Sequence, residues 1–160
     1  VAAPTASQPA SAAVHDPLAA PTADPLAGNA TAQSLAASFK TRPPAFDLGL
    51  KALRAGDFTA ALAQLTRAAQ AAPDDSIVLA GLGSAHLGSG DAIAATEAYR
   101  LALKRASAAA RPGIQLGLAE ALRIRESDDE AATMYRSIRD NAEAADNLKQ
   151  IARERLALLN

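Results

Sequence analysis

The chain has 160 residues, 49% of them hydrophobic but only 3% aromatic, with a formal net charge of −1 and a pI near 6.1. That balance supplies no global attraction for nucleic acid or for an anionic membrane surface, and the lack of cysteine excludes disulfides, thiolate metal sites and a cysteine nucleophile. No apolar run approaches the roughly 18 residues that cross a bilayer, so no transmembrane segment is expected in the chain.

Residues 1–30 are rich in Ala, Pro, Ser and Thr and nearly free of bulky apolar side chains. Such a stretch buries too little surface to offset its ordering entropy and is expected to be a disordered tether. Pro4, Pro9, Pro17, Pro21 and Pro25 should hold it semi-extended. Within it Asp16-Pro17-Leu18-Ala19 recurs as Asp24-Pro25-Leu26-Ala27. A biased composition generates such echoes readily; a pair of docking motifs is the alternative. The chain opens on Val1 instead of Met, which leads to the expectation of a processed start, with a signal peptide or lipid-anchored segment upstream. Over residues 31–41, Leu35 and Phe39 at i and i+4 predict a short helix that covers the end of the following domain, stopped by Pro43-Pro44.

From residue 42 a pattern repeats. Leu48-Gly49 recurs as Leu82-Gly83, Gly56-Asp57 as Gly90-Asp91, Ala61 as Ala95 and Ala68 as Ala102, each 34 residues on. Leu65 and Tyr99 share another slot, and Pro73 closes the first unit where Ser107 closes the second. Phe58 follows the first turn and Ala92 the second. Leu116-Gly117 continues the period, but Ala131 and Tyr135 match Ala95 and Tyr99 only after an insertion of two residues. The third turn lacks glycine and carries Ser127-Asp128-Asp129-Glu130, which predicts a capping box between Ser127 and Glu130. The units fall at 42–75, 76–109 and 110–143. Residues 144–160 follow, with Leu148, Ile151, Leu156 and Leu159 among Lys149, Arg153, Glu154 and Arg155; this predicts an amphipathic capping helix.

A helix-turn-helix unit of about 34 residues with small residues in these slots resembles the tetratricopeptide repeat. The resemblance implies an all-α fold, an α-solenoid of about three hairpins with a C-terminal capping helix and the N-terminal tail. Gly49, Gly83 and Gly117 would let the two helices of a hairpin approach, Ala61, Ala95 and Ala131 would admit the next hairpin, and Leu65, Tyr99 and Tyr135 would fill the gap between layers. Leu48, Gly56, Ala68, Leu82, Gly90 and Leu116 complete the set assigned to packing.

Members of that family line their concave surface with the first helix of each hairpin. Carried over slot by slot, the groove positions are Phe46, Leu50 and Leu53, then Ile77, Ser84 and Leu87, then Arg111, Ile114 and Leu118. These are mostly apolar, which suits an apolar or amphipathic peptide or a flanking helix of the chain itself. The clamp with which some members hold a C-terminal carboxylate is missing: its slots contain Phe46, Leu50, Ala80 and Ser84.

Nothing in the sequence points to catalysis, a metal or a cofactor. Asp74-Asp75, Asp128-Asp129-Glu130 and Asp140 fall at expected turns and helix starts, where capping and the helix dipole account for carboxylates. His15 lies in the tail, and His86 has no nucleophile or second ligand at a useful spacing. No phosphate-loop, nucleophile-elbow or zinc-protease motif occurs. Arg100, Lys104 and Arg105 have no aromatic stacking partners and read as a solvated face, so no nucleic acid is expected. The expected function is a non-catalytic scaffold binding another protein, with self-association or a regulatory subunit of an enzyme complex as alternatives. The tail composition and the excess of Arg over Lys are similar to bacterial envelope-side repeat proteins that assist pilus, secretion or export assembly. That similarity implies the periplasm, with the cytoplasm as the alternative.

Overall fold

The computed structural model describes residues 42–159; the expected tail over 1–30 and covering helix over 31–41 lie outside the described residues. The described chain is all-helical, with no strand among the described residues. Seven helices follow one another: α1 (Pro44–Arg54), α2 (Phe58–Ala71), α3 (Ser76–Gly88), α4 (Ala92–Arg105), α5 (Arg111–Ile124), α6 (Asp128–Asp140) and α7 (Asp146–Leu158). Pro43 and Pro44, expected to end a preceding helix, serve as N-cap and first residue of α1, where a missing backbone N–H costs nothing. Asp57, Asp75 and Asp91 cap α2, α3 and α4 by accepting hydrogen bonds from the amides of Ala60, Ile77 and Ala94, each at 2.9 Å.

Consecutive helices pack antiparallel as hairpins α1/α2, α3/α4 and α5/α6, and α7 closes the stack. The first helices also pack on one another, α1 on α3, α3 on α5 and α5 on α7, whereas the backbones of α2, α4 and α6 stay apart. The array is therefore an α-solenoid that curves with α1, α3, α5 and α7 on its inner side. Its core is dominated by alanine, with Ala61, Ala68, Ala85, Ala95, Ala102, Ala119, Ala121, Ala131 and Ala152 all fully buried. Thin residues let the layers close, and Leu65, Tyr99 and Tyr135 are the large side chains between them.

The glycines explain how. A Cβ on Gly49 would stand 2.5 Å from Leu65 Cγ, and one on Gly83 would stand 3.1 Å from the Tyr99 ring. Both are contacts within a hairpin, as the sequence predicts. Gly117 is different: a Cβ there would lie 2.5 Å from Tyr99, which belongs to the preceding hairpin. Its counterpart is Gly81, where a Cβ would meet Leu65 at 3.2 Å and Phe46 at 3.3 Å. The third hairpin is thus offset by 36 residues along its whole length. The connector Ala106–Ala110 is one residue longer than Ala72–Asp75, and α5 begins one residue earlier relative to its glycine. Leu118 and fully buried Ala119 hold the places of Leu82 and Gly83, so the match of Leu116-Gly117 at 34 residues is coincidental in register.

Two further expectations are corrected. Leu48, assigned to packing, is 55% exposed. Ser127 makes no side-chain cap bond; Glu130 instead pairs with Arg100 at 2.7 Å, tying α6 to α4. The third turn is built by its backbone. Ser127 N donates to Leu122 O at 2.9 Å, as Asp57 N does to Ala52 O and Asp91 N to His86 O. That closure needs a left-handed residue, supplied by Gly56 (φ 74°), Gly90 (φ 88°) and, in the third turn, Glu126 (φ 57°).

Glutamate in that conformation is strained by about 1–2 kcal/mol, partly offset by the greater freedom glycine has when unfolded. Glu126→Gly should stabilise the protein by about 0.5–1 kcal/mol, read as a higher denaturation midpoint in urea. A second comparison tests the close contacts. Gly49→Ala should lose about 1–3 kcal/mol by overpacking, whereas Gly113→Ala, with open space around the new Cβ, should leave the midpoint unchanged or raise it.

Candidate functional site

With the register established, the inner face resolves into rows. Phe46, Leu50 and Leu53 of α1 correspond to Ala80, Ser84 and Leu87 of α3, and these to Leu116, Glu120 and Arg123 of α5. One turn earlier, Ile77 corresponds to Gly113. A pocket of about 450 Å³ opens along these rows between α3 and α5. Its walls are Ile77, Ala80, Ser84 and Leu87 on one side and Gly113, Ile114, Leu116, Gly117 and Glu120 on the other, with Ala110 at the connector and Tyr99 reaching in from α4.

The nine groove positions expected from the sequence divide accordingly. Ile77, Ser84, Leu87 and Ile114 line the pocket. Leu50 and Leu53 are half-buried on α1 beside the first hairpin's core. Phe46 is only 5% exposed and fills the space between α1 and α3 itself. Leu118 is buried in the core, and Arg111 is exposed, donating from Nη2 to Ala106 O at 3.3 Å. Phe46 was misplaced because it packs between α1 and α3; the other misplacements fall in the third hairpin, where the sequence offset of 34 selects residues two positions early. Leu116, read as packing, is half-buried and lines the pocket. Gly113, Glu120 and Ala80 were not expected there; reading Ala131 and Tyr135 back through α5 at their own offset of 36 would have found the first two.

The floor and far edge are polar. Tyr99 Oη and Ser84 Oγ are 2.9 Å apart, and Ser84 Oγ donates to Ala80 O at 3.1 Å. In the next hairpin the equivalent pair is Tyr135 and Glu120: Tyr135 Oη donates to Glu120 Oε1 at 2.9 Å. Arg155 Nε of α7 donates to the same oxygen at 2.7 Å, and Arg123 approaches Oε2 at 3.3 Å. One carboxylate thus ties α5, α6 and α7 together. Burial opposes its charge, but the bonds from Arg155 and Tyr135 and the two guanidinium charges outweigh burial and hold the Glu120 carboxyl below its usual range. Burial and the adjoining carboxylate push the Tyr135 phenol well above its ordinary value, and burial raises Tyr99, with Ser84 acting against the rise. Both tyrosines stay protonated and serve as donors.

His86 lies 4.0 Å from Asp91 at the outer end of α3, away from the pocket lining. Among the described residues no group of three or more His, Cys, Asp or Glu is placed to hold a metal ion, and no helix is long and apolar enough to cross a membrane. No protein-family model matches the chain, and no curated protein does either. What the site offers is shape: an apolar recess with hydroxyls at its floor and an ionic cluster at one edge.

Because folding depresses the Glu120 pKa, its contribution to stability is complete above the unfolded value near 4.5 and disappears as pH falls through the lower folded value. Glu120→Gln should cost about 1 kcal/mol at pH 7, a modest figure because Glu120 and Arg155 are 21% and 39% exposed. Thermal unfolding of the two proteins should therefore differ at pH 7 and converge as the pH falls below the depressed folded-state value of Glu120.

Proposed function

We propose that this chain is a non-catalytic protein–protein interaction scaffold of the tetratricopeptide-repeat type, which holds an apolar or amphipathic peptide segment of another protein along its inner face. The observation that carries the reading is the pocket between α3 and α5, centred on the apolar rows of successive first helices. Aliphatic side chains that remain half-exposed in a row, Leu50, Leu53, Ile77, Leu87 and Leu116, have a use when a partner removes them from water, at about 25 cal/mol per Å² of apolar surface buried. The two polar anchors then set register more than affinity. We place this activity in assembly of a bacterial envelope complex such as a pilus, secretion or export machine, on the composition of the tail and the excess of arginine over lysine. The reading includes no enzyme activity and no cofactor.

Ile77 is half-buried and lines the pocket without belonging to the fully buried core. In a selection of random 12-residue peptides displayed on phage against the full chain, peptides should be enriched that bind the unaltered protein and lose at least tenfold in affinity to Ile77→Asp, with helical circular dichroism unchanged. Enriched peptides indifferent to Ile77→Asp would place recognition elsewhere.

A further inference from the structure

The solenoid contains an internal template for what its pocket accepts. At the junction of α1 and α3 the row position on α1 is Phe46, whose ring lies against Gly81 and is 5% exposed. One hairpin along, at the junction of α3 and α5, Ala80 stands in place of Phe46 and Gly113 in place of Ile77. The pocket occupies the space those two larger side chains would take, and a Cβ on Gly113 would meet nothing within 4 Å. Tyr99, 4% exposed and wedged between Gly83 and Gly117, presents only the rim of its ring to the recess, which suits an edge contact with a second aromatic.

Charge supplies a second element. Glu120 at the pocket edge is matched by two guanidinium groups, Arg123 and Arg155, and Arg155 also feels the charge of Glu154. Arg155 donates only through Nε, so its terminal amino groups have no hydrogen-bond partner among the described residues, and a guanidinium fork is suited to a carboxylate. The template junction also pairs aromatic with cation: Arg42 lies over the Phe46 ring, 5.4 Å from its centroid.

We propose that the pocket between α3 and α5 receives an aromatic side chain of the bound segment while an acidic residue of the same segment pairs with Arg155. This rests on the peptide-scaffold reading above and names its chemistry. An aliphatic side chain fills less of the recess and gains no edge contact with Tyr99; a second copy of the chain is an alternative occupant that the test separates.

The experiment uses the full chain and the peptides from a random 12-residue display selection. Peptides enriched on the unaltered protein should share a Phe, Tyr or Trp with an Asp or Glu nearby. Gly113→Leu, which fills the recess from a position with room for it, should weaken them at least tenfold, and so should Ala80→Phe, which rebuilds the side chain present one hairpin earlier. Circular dichroism identifies which variant keeps its fold, and binding is read on that one. Replacing the peptide's acid by its amide should cost several-fold against the unaltered protein and nothing against Arg155→Gln, a coupling that general loss of structure would not produce. Enriched peptides without an aromatic, bound equally by Gly113→Leu but lost with Leu50→Glu, would overturn the aromatic assignment and leave the scaffold reading standing. Failure to enrich any peptide sensitive to either change would overturn both. A dimer seen in sedimentation and abolished by Gly113→Leu would overturn the peptide in favour of a second copy.

Discussion

A single contact recurs through the array and the remaining geometry depends on it: a large side chain of a second helix wedged between small residues of two successive first helices. Leu65 sits between Gly49 and Gly81, and Tyr99 between Gly83 and Gly117. In the third hairpin fully buried Tyr135 has fully buried Ala119 and Ala152 in the corresponding register. Because each wedge touches its own hairpin and the next, it sets both spacings at once. Small residues on both sides draw the first helices together, and nothing comparable draws α2, α4 and α6 together. Unequal spacing on the two sides is curvature, and curvature creates an inner face.

The identity of the wedge also determines the polarity of that face. Fifteen residues before each wedge stands an inner-face residue: Leu50 before Leu65, Ser84 before Tyr99, Glu120 before Tyr135. Leucine ends in methyl groups and asks only for an apolar neighbour. Tyrosine in the same slot carries a hydroxyl to the inner face, where it needs a partner, and Ser84 and Glu120 provide one. A carboxylate that is four-fifths covered in turn requires compensating charge, which brings in Arg123 and Arg155. Leucine then two tyrosines as wedges, with serine and then glutamate as the tyrosines' partners, thus turn an apolar first hairpin into an ionic third.

Apart from exposed Leu48 and buried Phe46, the first two hairpins were legible because each slot imposes a separate steric or dihedral demand and both copies satisfy it at one offset: glycine where helices close, positive φ at the turn, aspartate at the cap. The third hairpin showed how a steric pattern misleads. Gly117 falls at the expected interval, yet its side of the helix faces the preceding hairpin, and the signal that reveals it lies in the other helix, in the offset of 36 at Ala131 and Tyr135. Its turn was misread for a related reason. A sequence cannot announce that Glu126 adopts the conformation of Gly56 and Gly90, because the strain is maintained by hydrogen bonds from a backbone already placed on both sides. The exchange of large and small residues is similarly non-local. Phe58 crowds Gly88, while in the next register Ala92 and Ile124 reverse the sizes, so neither position alone appears fixed. The pocket and the Glu120 cluster each require residues from three elements, and no window of sequence contains them.

The change in character along the inner face gives the array a direction. A segment held there as proposed meets Leu50 and Leu53 at one end, the recess beside Tyr99 in the middle and the Glu120 cluster at the other. Reversed, it would set apolar side chains over two arginines and a carboxylate, excluding water from charges without replacing its hydrogen bonds, which costs more than misplacing the same side chains over leucine. Discrimination between the two orientations therefore comes chiefly from the penalty at the charged end. Neutralising that cluster would relax direction before it weakened attachment, since the apolar rows that supply contact area, from Leu50 to Leu116, are separate from it and remain in place.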